Sequence, residues 1–310
     1  MNVAYERFQV PVSGGEITCG RWGTGDRFVV ASHGITANHL SWQRVAELVV
    51  ERSGDTVSVV AVDHRGRAGS ADTPGPYGLQ AHADDLAAVL DHLGVQSTTL
   101  AGHSLGGFII ANAAERHADR VDRLVLVDGG VPFPSSGPPP DPADVDIEGV
   151  VQAVIGPALD RLDQRWPDED SYVDFFRAHP AFQPPNEWSP AVEAYVRYDA
   201  HVDDNNRIKS SARKEAVLVD GGAAIVDPAA AAAIERAGAP TTWIWCPRGI
   251  LDDTPGLYPQ EYVEQWASRL ANVTPALVED TNHYTIVVSD HGAGAVADII
   301  LDGYGTLPEC

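Results

Sequence analysis

A serine lies within the five residues Gly-His-Ser-Leu-Gly at positions 102–106, between a short apolar run and a stretch with helical periodicity. This is the G-x-S-x-G pattern, in which small residues let a strand turn sharply into a helix and lift the serine hydroxyl into a cleft. The same turn points the helix N-terminus, with its free backbone N–H groups, at that cleft. The pattern therefore predicts that Ser104 is a nucleophile.

A serine nucleophile needs a base to take its proton, a group that orients the base, and hydrogen-bond donors for the oxyanion that forms. In a parallel sheet, functional groups collect at the carboxyl ends of the strands. The polar residues that follow apolar runs here are Ser32-His33-Gly34, Asp63-His64-Arg65-Gly66, Ser104, Asp128, the pair Asp252 and Asp253, and His283. They supply a nucleophile, a candidate base and several candidate acids.

The elements that must position these residues are eight short apolar runs that alternate with helical segments. The runs cover residues 8–12, 16–22, 28–32, 57–62, 98–101, 121–127, 241–246 and 273–278. A Ser-Gly-Gly turn separates the first two runs and predicts a hairpin. The later runs lack the period-2 alternation of half-buried strands, which indicates a parallel sheet covered on both faces. We therefore predict an α/β fold with a mostly parallel eight-stranded sheet and helices on both faces.

A long segment interrupts this alternation. Residues 132–142 are rich in proline and read as a linker, because proline continues neither a helix nor a central strand. The following residues, up to about 235, are mostly helical in pattern, and their strongest β-like run is 216–219. We predict a core of residues 1–131 and 239–310 and a helical cap insertion at 132–238. Some of its aromatic residues are expected to line a substrate pocket as well as fill its own core, namely Trp166, Phe175, Phe176, Trp188 and Tyr195.

Four motifs give the chain a family resemblance. It resembles the α/β-hydrolase fold family in His33-Gly34, similar to that family's H-G oxyanion loop, and in Asp63-His64-Arg65-Gly66, similar to its D-x-R-G loop. Residues 102–107 resemble its nucleophile elbow, and Asn282-His283 resembles its base position after the last strand. The resemblance covers the core, and the insertion at 132–238 resembles the family's variable helical cap. It implies a site with Ser104 as nucleophile and His283 as base.

The acid is chosen among three residues. The loop at 248–252 resembles the family's G-x-x-D acid loop, which selects Asp252. Asp128 is the alternative, because some family members place the acid after the sixth strand, and Asp253 is adjacent to the first choice. The order serine, acid, histidine along the chain holds for all three.

The remaining site residues are expected to act through their backbone or to shape loops. The oxyanion donors are predicted to be the backbone N–H groups of Leu105, which follows the nucleophile, and Ile35, which follows a glycine. His33 and His103 flank the site and are expected to serve loop geometry and border the substrate pocket. Asp63 and Arg65 are expected to tie neighbouring loops together.

Composition excludes several classes of partner. The chain has 310 residues and a formal net charge of −23, from 21 Lys and Arg against 44 Asp and Glu. Nucleic acids and anionic membranes require a basic face, so neither is an expected partner. The three cysteines are widely spaced, and no Walker, dinucleotide or metal-ligand spacing occurs, so no cofactor or metal is expected. Residues 1–10 lack an apolar signal core, and no apolar stretch predicts a transmembrane helix, so the expected location is the cytoplasm.

Together these observations predict a cofactor-independent serine hydrolase that cleaves a carboxylic ester or lactone through an acyl-enzyme. The aromatic insertion favours a small apolar substrate. Amide or carbon–carbon bond hydrolysis and a lyase of the hydroxynitrile type use the same three residues and stay open. A ligand-binding module without turnover is the non-enzymatic alternative. Relatives with an aspartate nucleophile are excluded, because position 104 is serine.

Overall fold

The computed structural model describes residues 3–134, 145–186 and 188–304. The strands of these residues, in chain order, are β1 (Tyr5–Val12), β2 (Gly15–Trp22), β3 (Arg27–Ser32), β4 (Val57–Val62), β5 (Thr98–His103), β6 (Val121–Val127), β7 (Ala200–Val202), β8 (Ile208–Ser210), β9 (Thr241–Trp245) and β10 (Val273–Leu277). The α-helices are α1 (Gln43–Arg52), α2 (Leu79–Leu93), α3 (Leu105–Arg116), α4 (Ile147–Asp163), α5 (Glu169–Arg177), α6 (Pro190–Asp199), α7 (Lys214–Ile225), α8 (Pro228–Ala231), α9 (Gln260–Arg269), α10 (Thr285–Val288) and α11 (Asp290–Asp302).

The central sheet has eight strands in the order β1-β2-β4-β3-β5-β6-β9-β10. The hairpin of β1 and β2 pairs antiparallel with Val12 opposite Gly15, and β2 is antiparallel to β4. All the other pairs in this sheet are parallel. The predicted mostly parallel eight-stranded α/β fold is therefore confirmed, with the antiparallel hairpin at one edge.

The buried strands contribute to two separate hydrophobic cores, one on each face. Val30, Val60 and Leu100 pack with residues of α2, α3 and α9 on one face. Their sequence neighbours, such as Val29 and Ala101, pack with α1, α10 and α11 on the other face. Because both alternating sets are buried, these strands are apolar throughout, and this is why the sequence shows no period-2 pattern there.

A helical insertion lies between β6 and β9 and contains α4 to α8 and the small hairpin β7–β8. Here "the insertion" means its described residues, 145–186 and 188–238; the predicted linker at 132–142 lies largely outside the described residues. The β-like run at 216–219 is helical and lies within α7. Four apolar residues do not distinguish a strand from a buried helix, so the pattern alone could not decide.

Helix α4 is kinked at its centre. Ile155 has a non-helical backbone conformation (φ −119°, ψ 18°), and Pro157 lies two residues further on. Proline lacks the N–H that would continue the helical hydrogen-bond ladder, which explains the break. The kink lies where α4 passes over the cleft described below. Among the described helices, none combines the length and apolarity needed to cross a lipid bilayer.

Candidate active site

The turn from β5 into α3 holds Ser104 in a conformation that few non-glycine residues adopt. Its backbone has φ 54° and ψ −121°, and its N–H donates to the carbonyl of Val127 at 2.9 Å. A side chain on Gly102 would overlap the carbonyl oxygen of Gly106, and one on Gly106 would overlap that of Ser32. The small residues of the motif are therefore required for the turn to close, and the strained serine is a mark of a functional position.

His283 lies just past the last strand and has a carboxylate partner. Its Nδ1 is 2.7 Å from Oδ2 of Asp128. Asp128 is fully buried, follows β6 directly and donates its backbone N–H to Ile244 O at 2.8 Å. With Nδ1 engaged in this way, the imidazole has Nε2 free to exchange a proton with a hydroxyl group.

The expectation that Asp252 orients His283 is not met. Asp252 has φ 64°, and this turn directs its carboxylate to the residue before the histidine: Asn282 Nδ2 donates to Asp252 Oδ1 at 2.8 Å. Its second oxygen lies 3.3 Å from Arg248 Nη1. The third candidate, Asp253, is exposed to solvent. The structure therefore brings together His283 and Asp128, the residue that the sequence ranked second.

The two predicted oxyanion donors flank the serine. Leu105 is the first residue of α3, where a backbone N–H has no partner within the helix. The loop of residues 34–37 lies against the elbow, since a Cβ built on Gly34 would be 3.3 Å from Ser104 Cβ. Within the described chain, neither the Ile35 nor the Leu105 N–H donates to a loop or turn carbonyl. Both are available for a ligand.

His33 and His103 hold loops together through their rings. His33 is fully buried, donates from Nδ1 to Gly34 O at 2.7 Å and accepts the His64 N–H at Nε2, 3.1 Å away. Burial lowers the pKa of His33 to about 3, so the ring is neutral at pH 7. His103 Nε2 donates to the backbone carbonyl of His283 at 2.8 Å, and burial lowers the pKa of His103 well below its usual value.

Ser104, His103 and His283 line one cleft. Its apolar wall is formed by Ile35, Ile155, Ala158, Ile250, Val287 and Val288. Tyr195 of α6 and Tyr284 complete it. The space left inside is about 40 Å³, enough for a few small ligand atoms and far below the roughly 150 Å³ of a cavity that holds benzene.

Of the aromatic residues predicted to line the pocket, only Tyr195 reaches this cleft. Phe175 and Phe176 line a smaller adjoining cavity of about 20 Å³. Trp166 packs edge-on against Tyr172 with ring centroids 4.6 Å apart, and Trp188 packs against Phe182 at 5.6 Å. These two tryptophans fill the core of the insertion, and His33 lies beneath the 34–37 loop, so none of the three borders the cleft.

Several lining residues were missed by the sequence reasoning. Val287 and Val288 lie on the short helix α10 that follows the candidate base, and Tyr284 lies directly before it. Val287 follows His283 at four residues, the spacing of neighbours on one helix face, and Val288 is next to it. Ile155 and Ala158 are three residues apart on α4, and this weaker signal is interrupted by Pro157.

Asp63 and Arg65 have the structural surroundings that the sequence predicted for them. Asp63 accepts hydrogen bonds from the backbone N–H and the ring of His39, from Gly69 N and from Tyr198 Oη. Arg65 donates two bonds of 2.7 Å each to Asp85 and a third to Pro74 O. Within the described residues, no cluster of three or more His, Cys, Asp or Glu could hold a metal ion.

Comparison with known proteins finds a matching family model and similar sequences. The model of a family described as alpha/beta hydrolase fold matches residues 28–290. A similar curated protein is the N-formylmaleamate deformylase of Pseudomonas putida, 30% identical over 213 residues, which are 67% of this chain and 75% of that protein. A non-heme haloperoxidase of Rhodococcus erythropolis is 33% identical over 153 residues, which are 48% of this chain and 54% of that protein.

A solved structure supports the same fold. The crystal structure of E-2-(acetamidomethylene)succinate hydrolase aligns with a TM-score of 0.72 and 19% identity, covering 98% of this chain and 100% of that one. At this identity the likeness concerns the fold alone.

Proposed function

The chain belongs to the alpha/beta hydrolase fold family, and on that premise we propose that it cleaves a carboxylic ester or lactone with Ser104 as nucleophile. One observation carries the proposal: His283, paired at 2.7 Å with the buried Asp128, lines the same cleft as the strained Ser104. A hydroxyl, an imidazole and a carboxylate in this order are the groups that acyl transfer requires.

The proposed mechanism assigns one step to each group. Ser104 Oγ attacks the carbonyl carbon, and His283 Nε2 takes the hydroxyl proton and passes it to the leaving alkoxide. Asp128 keeps the Nδ1–H in place and stabilises the imidazolium. The N–H groups of Ile35 and Leu105 bind the oxyanion, each contributing on the order of 3 kcal/mol to transition-state stabilisation. Water, deprotonated by His283, then cleaves the acyl-enzyme and frees the serine.

The insertion acts as a cap that limits the size of the substrate. Ile155 and Ala158 of α4 and Tyr195 of α6 line the cleft together with Ser104. The 40 Å³ that remain accommodate a small apolar acyl group, and a ring requires that α4 move aside. We further propose that the protein acts on a small molecule in the cytoplasm.

Hydrolysis of an amide is a second candidate, and a specific observation favours it. A relative aligned over 75% of its length is a deformylase of N-formylmaleamate, and a formyl group is the smallest acyl group that the cleft could hold. Amide cleavage by the same residues requires His283 to protonate the leaving nitrogen before it departs. The geometry suits both leaving groups, so the bond type has to be measured.

Labelling with a fluorophosphonate probe, followed by peptide mapping, tests the nucleophile. The folded protein is expected to form an adduct on Ser104, and Ser104→Ala is expected to form none and to lose turnover. An unlabelled Ser104 in folded protein contradicts the proposal. Pairs of esters and amides with the same acyl group, from formyl upward, then compare kcat/KM for the two bond types and identify the natural one.

A further inference from the structure

The loop of residues 34–36 has each of its carbonyl groups held by a basic or ring N–H donor. His33 Nδ1 donates to Gly34 O at 2.7 Å, and Arg67 Nε donates to Ile35 O at 3.0 Å. Arg161 of α4 reaches Thr36 O from the insertion, with Nη2 at 3.4 Å. Three consecutive carbonyls thus accept hydrogen bonds from side chains.

This matters because a peptide unit is planar and its C=O and N–H point in opposite directions. The bond from His33 to the Gly34 carbonyl fixes the plane that contains the Ile35 N–H. The bond from Arg67 to the Ile35 carbonyl fixes the next plane. The first of these planes is also held within the turn, because the Ala37 N–H donates to Gly34 O at 3.1 Å. With the planes on both sides of the Ile35 Cα held, the direction of the Ile35 N–H depends on this turn bond and on side chains outside the cleft.

Arg67 depends on the insertion for its charge balance. It is fully buried, and its Nη1 lies 2.5 Å from Asp220 of α7. Asp220 is also fully buried, and its carboxylate accepts from Gly78 N at 2.6 Å and from His82 Nε2 at 2.9 Å. Burial opposes ionisation of Asp220, but His82 and Arg67 outweigh it and lower the pKa of this carboxyl. The pair is therefore charged, and removing one partner leaves the other buried without a counter-charge.

The guanidinium of Arg67 is not fully satisfied where it lies. Its Nη2 is buried and has no hydrogen-bond partner among the described residues. An unpaired buried donor costs free energy. The other donors of the side chain join three groups: the Asp220 carboxylate, the Ile35 carbonyl and, at 2.9 Å from Nη1, the carbonyl of Arg65 in its own loop.

We propose that Arg67 and Asp220 are positioning residues through which the insertion sets the direction of the Ile35 N–H, so that the oxyanion site is complete only when α7 is seated. The inference rests on the proposed function, because it takes this N–H as an oxyanion donor. It adds a coupling: a movement of α7 that carries Asp220 away releases Arg67 and with it the Ile35 peptide.

A neighbouring ion pair provides a matched control. Arg65 and Asp85 are also buried and form a two-pronged pair from the same loop, but Arg65 donates its remaining bond to Pro74 O. Among the described residues, no hydrogen bond or ion pair joins the Arg65 side chain to residues 34–37. Asp85→Asn therefore removes the same kind of charge from a similar environment and leaves the Ile35 carbonyl bound to Arg67.

The experiment compares Asp220→Asn, Arg67→Lys and Asp85→Asn in the full chain. With a p-nitrophenyl ester, Asp220→Asn and Arg67→Lys are expected to lower kcat by about 10- to 100-fold with KM nearly unchanged. This decrease is somewhat smaller than the decrease in kcat caused by removing one oxyanion donor completely. Lysine keeps the charge but cannot reach both the carboxylate and the carbonyl. Asp85→Asn is expected to keep kcat within about threefold of the original.

Amide hydrogen exchange measures the coupling without turnover. Residues 34–37 are expected to exchange faster in Asp220→Asn and Arg67→Lys than in Asp85→Asn. If exchange and kcat in both variants match those of Asp85→Asn, the inference is overturned. If Asp220→Asn does not fold, Arg67→Lys decides the question alone. If the unaltered protein is not labelled by the fluorophosphonate and does not turn over the ester, the proposed function fails. The exchange rates then still show whether Arg67 and Asp220 hold the loop of residues 34–37.

Discussion

The two sides of the candidate cleft are held in different ways. On the sheet side, backbone hydrogen bonds fix the polar residues, as in Ser104 N to Val127 O and Asp128 N to Ile244 O. On the insertion side, side chains hold the helices, as in the cluster where Arg161 donates to Tyr172 and to Asp199. A backbone-held site tolerates little change, whereas contacts between side chains can be exchanged one at a time. The difference predicts that chemistry resides in the sheet and substrate selection in the insertion.

The largest expected effect separates the two carboxylates on the sheet side. Asp128→Asn is expected to lower kcat by about 10⁴-fold, because an amide at this position favours the wrong tautomer of His283. Asp252→Asn keeps an oxygen that can accept the hydrogen bond from Asn282 Nδ2 and is expected to lower kcat by less than about tenfold. Steady-state kinetics of the two variants measures this. Full activity in Asp128→Asn with loss in Asp252→Asn would reverse the assignment.

The next effect concerns the insertion side. Ile155→Ala removes a side chain that lines the cleft and is expected to raise kcat/KM for ring-bearing acyl esters by about tenfold relative to acetate, since a few methylene groups carry such a factor. Leu159→Ala is the control, because Leu159 is buried on the same helix and does not line the cleft. Equal size preference in both variants would show that α4 does not select the substrate.

The smallest effect is on the pH dependence of stability, which is expected to come from buried histidines on the sheet side and not from an exposed histidine of the insertion. Burial lowers the pKa of His33 to about 3 and that of His64 and His103 well below the usual value. The unfolded chain therefore binds more protons than the folded one below a pH of about 6.5, and stability falls as the pH falls, by up to about 1.4 kcal/mol per pH unit for each histidine.

Urea unfolding at about pH 7.5 and about pH 5.5 measures this slope. His33→Gln is expected to reduce the slope, because one proton-binding group is removed from the unfolded chain. His201→Gln, at an exposed position of the insertion, is expected to leave it unchanged. Equal free energies of unfolding at the two pH values would mean that the buried histidines do not make the stability depend on pH. Asp220 does not contribute in this window, since a carboxyl with a lowered pKa loses its stabilising effect only under more acidic conditions.

The sequence predicted the sheet side well because local rules govern it. The elbow is encoded in five consecutive residues, and only glycine fits at positions 102 and 106. The acid was the exception, because both Asp128 and Asp252 follow a strand and both have positive φ. The choice depends on which carboxylate lies within hydrogen-bond distance of His283. That distance is set by packing between strands that are far apart in the chain.

The insertion was predicted only in outline. Its helical content follows from periodicity. The sequence around Trp166 and around Tyr195 does not distinguish these two aromatic residues, yet of the two only Tyr195 lines the cleft. Which face of a helix meets the cleft depends on its neighbours, and a single sequence does not record them. The link from Asp220 to Arg67 spans more than 150 positions of the chain and has no local signature at all.

The contact between Asp252 and Asn282 has an evolutionary consequence. This chain carries an acidic residue at two strand ends, one that engages the imidazole and one that rests beside it on the neighbouring amide. A descendant of this chain that loses either acid therefore still carries a carboxylate at or beside the imidazole.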